Sequence, residues 1–360
     1  MRKDTEQSRR VPDENAEAAH EASLAYVSDD EPGISRKRAG KRLLYETANG
    51  GKVASKAVLA RIDALAIPPA WTDVWICAES NGHIQATGRD QRGRKQYRYH
   101  PDWSEKRDEL KFSSLAEFAR ALPLLRRRID KDLRLRGMVR ERVVAAVVWL
   151  LDNTMIRVGG AAYARENGSF GLTTLRNRHV DIDGSTLRFA FKGKSGKEWR
   201  LRLVDRRMAK IVRSIQELPG QTLFQYLDDN GARVPISSQD VNDYIRAAAG
   251  AAFSSKHFRT WGGTVRATAL FSRTPVPERA EARAQACNKV IDDVARHLGN
   301  TRAVCRKGYI HPEVILAWSE GRLSDELAAS RPKAGSQLDV DERITLAWLS
   351  RQEKRSRLQR

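Results

Sequence analysis

Residues 180–204 read VDIDGSTLRFAFKGKSGKEWRLRLV, and this stretch decides the fold. Val180-Asp181-Ile182 runs into the turn pair Asp183-Gly184. Leu187, Phe189 and Phe191 then alternate with polar residues, and Trp199, Leu201 and Leu203 do so again after Gly193-Lys194-Ser195-Gly196. Period-two alternation cut by two glycine turns predicts a three-stranded antiparallel meander. The surroundings are helical: Leu115 to Leu125, Val139 to Asp152, Arg206 to Glu217 and Gln239 to Ala248 carry apolar residues at helical spacing. The meander is therefore an island in a helical domain.

Upstream the pattern changes. Val74 to Ala78 and His83 to Thr87 flank Asn81-Gly82, a strong hairpin signal, and Gln96-Tyr97-Arg98-Tyr99 follows a Gly/Arg-rich loop. Between Lys41 and Trp103 the expectation is short strands with a helix near Val53 to Leu65. The fold class is α+β: a small β-rich N-terminal domain, and a larger mainly helical domain containing the three-stranded antiparallel sheet. The expected divisions are an acidic, disordered tail over 1–35, the β-rich domain over 36–111, the main domain over 112–330 and a basic extension over 331–360. In that extension Arg343 to Arg360 reads as a solvated helix.

The 360 residues are 41% hydrophobic and 31% charged, a balance that suits a packed globular chain. Lys and Arg number 65 against 45 Asp and Glu, a net charge of +20. The first 35 residues hold 4 basic and 9 acidic side chains, so the excess lies in the body. Such a field predicts a polyanionic partner, nucleic acid before an anionic membrane. The longest apolar run, Val143 to Leu151, falls well short of the roughly 20 residues that span a bilayer. Cys77, Cys287 and Cys305 form no C-x-x-C pair, which argues against a disulfide framework and a clustered zinc site. With no secretory h-region at the N-terminus, the expected location is cytoplasmic.

Several polar residues stand at structural breaks. Arg157 follows an apolar helix just before Gly159-Gly160, and Lys194 occupies the meander turn. Arg259 lies in Lys256-His257-Phe258-Arg259-Thr260-Trp261, Asn300 follows the helix-ending Gly299, and Tyr309 stands in Lys307-Gly308-Tyr309-Ile310-His311-Pro312. Singly, each has an ordinary structural explanation. An arginine complements a helix C-terminus, a turn lysine is solvated, and a tyrosine packs. Their order is what carries information.

The ordered set Arg157, Lys194, Arg259, Asn300, Tyr309 resembles the active-site series of type IB DNA topoisomerases, specifically the compact bacterial and poxviral branch. That family has an Arg, a Lys on a β-hairpin, an Arg in a K-x-x-R-T segment, His or Asn, then the nucleophilic Tyr. The β-rich module resembles the family's N-terminal domain, so the likeness spans roughly residues 40 to 320. Asn300 stands where the poxviral pattern has histidine, a choice of the bacterial branch that leaves a neutral amide donor. The related tyrosine recombinases carry a histidine three residues before the second arginine; here that position is Lys256.

The resemblance implies a chemistry that these residue types can perform. Tyr309 would attack a DNA phosphate, giving a 3′-phosphotyrosyl ester and a free 5′ end that rotates before religation. Arg157 and Arg259 would fork onto the non-bridging oxygens, Asn300 would add a hydrogen bond, and Lys194 would protonate the expelled 5′ oxygen. One phosphoester replaces another, so the expectation is no ATP and no essential metal, with Mg2+ at most stimulatory. Arg94, Lys95, Gln96, Tyr97, Tyr99 and Lys256 are the expected DNA contacts, and the run Arg126 to Arg136 is a second basic candidate. The implied partner is double-stranded DNA, clamped by a monomer. A tyrosine recombinase or integrase shares the chemistry. A non-enzymatic basic DNA-binding protein would account for the charge but not for the residue order.

Overall fold

Short alternating stretches near the N-terminus pair into one antiparallel sheet. Its strands are β1 (Ile34–Ala39), β2 (Arg42–Glu46), β3 (Thr72–Ile76), β4 (Ile84–Arg89) and β5 (Lys95–Tyr99), in the order β2-β1-β3-β4-β5. In this computed structural model, residues 19–40, 42–91, 93–250, 253–330 and 337–358 are described. Helix α1 (Lys56–Ala64) starts at Ser55, whose hydroxyl accepts from the Val58 N–H. It buries Ile62 with Ile34, Val53, Val74, Ile76 and Ala86. The β3–β4 connection is longer than the Asn-Gly signal predicts, because Gly82 pairs with Ala25 instead of closing a two-residue turn. Helix α2 (Pro101–Ser113) follows β5. The chain divides into two compact units, Met1–Phe112 and Ser113–Arg360.

The acidic segment corrects an expectation. Residues 1–18 lie outside the described residues, but 19–35 are not a disordered tail. Ala19 and Leu24 bury against Trp103, and the Val27 N–H donates to Nδ1 of His83. Trp75 Nε1 donates to the Glu31 carbonyl at 2.9 Å, and β1 itself begins at Ile34. The segment is ordered because it hides apolar area and satisfies buried polar groups, both invisible to a charge count.

The second unit is helical around one meander. Helices α3 (Leu115–Asp132), α4 (Arg140–Thr154) and α5 (Ala161–Asn167) precede β6 (Val180–Asp183), β7 (Thr186–Lys192) and β8 (Glu198–Val204). The strands pair antiparallel with Phe191 opposite Trp199 and Val180 opposite Phe189, as the alternation predicts. Next come α6 (Arg206–Gln216), the small ribbon β9 (Gln225–Leu227) and β10 (Arg233–Pro235), and α7 (Ser238–Ala249). The chain then forms α8 (Ser255–Phe271), α9 (Ala280–Leu298), α10 (Arg302–Gly308), α11 (Pro312–Ser319), α12 (Leu323–Ala328) and α13 (Val340–Leu358). Helix α4 is the hub. Val143 to Val148, Leu150 and Leu151 are all buried, which explains an apolar run without a polar face. No helix among the described residues is long and apolar enough to cross a membrane.

Two further expectations change here. The terminal helix α13 is packed rather than solvated, with Thr345, Trp348 and Leu349 buried. Its Glu342 accepts from Trp261 Nε1 at 3.0 Å and pairs with Arg126 at 2.7 Å. Arg126 also pairs with Asp152 at 2.8 Å, so it is an internal tie between α3, α4 and α13 and not part of a phosphate-facing run. Arg127, Lys131, Arg134 and Arg136 remain exposed. Trp348→Ala is accordingly expected to cost about 3–5 kcal/mol, as large-to-small core changes do. Urea unfolding measures this, and a solvated helix would lose almost nothing.

Candidate active site

Helix α4 ends at Met155, a non-glycine residue in the left-handed region (φ 56°). That reversal throws Arg157 back across the helix end. The Arg157 carbonyl accepts from the Leu172 N–H at 2.9 Å, and that of Val158 from the Thr173 N–H at 2.8 Å, so the segment is tied to the Leu172-Thr173 turn. Gly171 makes this possible: a Cβ there would lie 2.5 Å from the Arg157 carbonyl oxygen.

Arg259 projects from the second turn of α8 and is 3% exposed. One terminal nitrogen donates to the Met155 carbonyl, the other to that of Leu298 at 2.6 Å. These carbonyls end α4 and α9, where the helix dipoles favour a cation. Burial, and secondarily the charge of Arg157, push the guanidinium down to about 10, which leaves it charged at neutral pH.

Helix α9 closes on Gly299 in the left-handed region (φ 60°), with the Asn300 N–H returning to the Ala295 carbonyl at 2.8 Å. Thr301 then caps α10, its hydroxyl accepting from the Val304 N–H. Asn300 is thus fixed in the turn between two helices. Arg157 donates to its Oδ1, and since a guanidinium can only donate, the amide is oriented with Nδ2 turned away. Nδ2 of Asn300 and Nε of Arg259 are both enclosed and without a hydrogen-bond partner. Unmet buried donors cost about 1–3 kcal/mol each, and an oxyanion is the group that would satisfy them.

Tyr309 ends α10, its N–H bonded to the Cys305 carbonyl at 2.9 Å. The guanidinium carbon of Arg259 lies 5.0 Å from the centre of its ring. Helix α8 reaches this close because Gly263 has no side chain: a Cβ there would sit 2.6 Å from the Tyr309 carbonyl oxygen. Thr264, next along, accepts from the His311 N–H at 3.1 Å and so holds the chain just beyond the tyrosine.

Four of the five sequence-derived residues therefore converge, namely Arg157, Arg259, Asn300 and Tyr309. Lys194 is exposed at the tip of the β7–β8 turn. From the same turn it is Lys197 that reaches the cluster, donating to the Asn300 carbonyl at 2.5 Å. Lys256 is exposed on the first turn of α8. His257 caps that helix, its Nδ1 accepting from the Ser254 N–H at 3.1 Å, and packs on Phe118.

In the other unit, Arg94 and Gln96 bond to Asp90 and Lys95 pairs with Asp29 at 2.6 Å. Tyr97 is 42% exposed and stacks on Tyr99 at 5.7 Å. Sequence reasoning missed Lys197, Met155, Gly263 and Asp29. A second lysine in GKSGK and the Gly262-Gly263 pair inside a helix were the available signals, since helical glycine costs about 1 kcal/mol relative to alanine and has to serve some purpose.

The family model for the eukaryotic DNA topoisomerase I catalytic core matches residues 97–323, and that for the bacterial DNA topoisomerase IB N-terminal domain matches 42–90. The chain is 31% identical over 285 residues to DNA topoisomerase 1B of Acanthamoeba polyphaga mimivirus, covering 77% of this chain and 85% of that protein. It is 24% identical over 215 residues to DNA topoisomerase 1 of Mycosarcoma maydis, covering 54% of this chain but only 21% of the fungal one.

Proposed function

The chain belongs to the type IB DNA topoisomerase family, and we propose that it relaxes supercoiled duplex DNA through a transient 3′-phosphotyrosyl bond at Tyr309. The observation that carries this reading is the convergence of Arg157, Arg259 and Asn300 on one tyrosine, with two enclosed donors left unsatisfied.

The chemistry follows from those groups. The Tyr309 oxygen attacks phosphorus, its proton passing to solvent, and the bond from phosphorus to the 5′ oxygen breaks. Arg157 and Arg259 hold the non-bridging oxygens as negative charge builds in the transition state, and Asn300 Nδ2 donates a third bond. An alkoxide leaves poorly, so Lys194 delivers a proton to the 5′ oxygen. The freed strand rotates about its partner, and the same steps in reverse reseal it. Bond energy is conserved in the phosphotyrosine, hence no ATP. Fixed guanidinium charge performs the task that a divalent ion performs elsewhere, hence no essential metal and at most stimulation by Mg2+. A single chain holding one duplex suffices, with Arg94, Lys95, Gln96, Tyr97, Tyr99 and Lys256 as its DNA contacts.

The test is relaxation of a negatively supercoiled plasmid in EDTA without ATP, followed by detergent trapping. The expected result is full relaxation of a plasmid bearing no special site, with protein attached to the 3′ side of a nick whose 5′ hydroxyl is free. Attachment at a 5′ phosphate, or a need for ATP, would overturn the reading.

Gly263 supplies a sharper structural check. Gly263→Ala drives a Cβ into the Tyr309 backbone, which overpacking puts at about 1–3 kcal/mol of stability. Displacing the nucleophile by about 1 Å should slow strand cleavage about 10²-fold. Single-turnover cleavage measures it, and a change confined to DNA affinity would count against the contact.

A further inference from the structure

The turn that bears Lys194 is fastened to the Asn300 turn at two points. Lys197 Nζ donates to the Asn300 carbonyl across 103 residues of sequence. The indole of Trp199 lies between two glycines: a Cβ on Gly193 would fall 2.7 Å from its Cδ1, and one on Gly299 would fall 2.7 Å from its Cζ2. Both glycines are at hinge points, Gly193 opening the lysine turn and Gly299 closing α9. Within the turn, the Gly193 N–H bonds to the Lys197 carbonyl at 2.8 Å, and Ser195 and Gly196 take positive φ. The turn is therefore short and internally closed, and its placement depends on its anchors. Lys194 is exposed.

We propose that Lys197 is a positioning residue for strand cleavage: its ammonium latches the lysine turn onto the Asn300 carbonyl and so sets where the Lys194 ammonium meets the 5′ oxygen. The inference rests on the reading of Lys194 as proton donor given above. No new covalent step is involved. Lys194 still gives the proton as the bond from phosphorus to the 5′ oxygen breaks, and Lys197 keeps its own proton. Cleavage and latch are thus coupled through Asn300, whose amide bonds Arg157 at one end and whose carbonyl bonds Lys197 at the other.

The test uses single-turnover cleavage of a duplex built on a mapped plasmid cleavage site, with either oxygen or sulfur at the 5′ bridging position. A thiolate leaves without a proton, so the sulfur duplex bypasses any defect in proton delivery. Lys197→Ala should slow the oxygen duplex about 10²-fold, the usual effect of misplacing a reacting group by about 1 Å. Cleavage of the sulfur duplex and DNA affinity should stay within about twofold of wild type. Lys197→Arg, which can still donate to the carbonyl, should recover most of the rate. The Lys194→Ala, Lys197→Ala double variant should be no slower than Lys194→Ala, because the two act as a unit. Equal slowing of both duplexes by Lys197→Ala would overturn the proposal in favour of a direct phosphate contact. Multiplying defects in the double variant, or no defect in Lys197→Ala, would overturn it as well. The underlying reading is tested separately by Lys194→Ala alone: if sulfur fails to rescue that variant, Lys194 is not the proton donor, whatever Lys197 does.

Discussion

Tyr309→Phe is expected to abolish relaxation and every trace of covalent adduct while leaving DNA affinity unchanged. The substitution removes one oxygen. The hydroxyl's hydrogen bond to Arg259 goes, but the guanidinium still lies 5.0 Å from the centre of the ring, which holds the side chain in place. The backbone keeps the Tyr309 N–H bond to Cys305, and Gly263 still meets the same carbonyl. Stability should therefore move by less than about 1 kcal/mol, which melting in the absence of DNA checks. The rate is another matter. Where residues act as a unit, losing the nucleophile removes nearly all the chemistry, a fall of more than about 10⁴-fold. Plasmid relaxation and detergent trapping on the same samples read both effects. Equal relaxation by both proteins would show that Tyr309 is not the nucleophile. Loss of relaxation accompanied by loss of DNA binding would instead make the tyrosine part of the grip.

Much of this site was legible before any fold was known, and the reason is local. The alternation of Leu187, Phe189 and Phe191 against Trp199, Leu201 and Leu203 fixes a meander with Lys194 at its turn, because strand pairing there spans only a few residues. Gly299 after Leu298 announces a helix end, so Asn300 had to stand in a turn. What stayed hidden depends on partners far away in sequence. Lys197 and Lys194 look alike in GKSGK, and nothing short of the folded turn shows that Lys197 meets Asn300. The acidic residues near Asp29 and the basic ones near Arg343 both read as solvated by composition. Yet Asp29 pairs with Lys95, and Trp348 is buried against its own unit. Arg126 was lost in a basic run because a charge count cannot say which arginine has carboxylates waiting on two other helices.

Arg259→Lys separates charge from geometry at the centre of the site. Arg259 has five donors: its terminal nitrogens hold the Met155 and Leu298 carbonyls and its guanidinium also bonds the Tyr309 side chain, while the enclosed Nε is left to face a phosphate. A lysine carries the same charge but only three donors on one nitrogen. It cannot hold two helix ends and also fork onto an oxyanion. Cleavage should fall about 10²–10³-fold, the cost of losing one preorganised donor. DNA affinity should keep its salt dependence, because no charge is removed. Arg259→Ala removes the charge as well. It should cut the rate further and reduce the slope of log affinity against log salt by about 1. It also leaves two buried carbonyls unpaired at about 1–3 kcal/mol each, so its melting temperature should drop where that of the lysine variant drops less. The comparison therefore has three readouts that move differently. If lysine restores the cleavage rate, charge alone drives the transition state and the fork is incidental. If it restores only stability and the salt slope, the paired donors of Arg259 are what the reaction uses, and the enclosed Nε is the one waiting for phosphate.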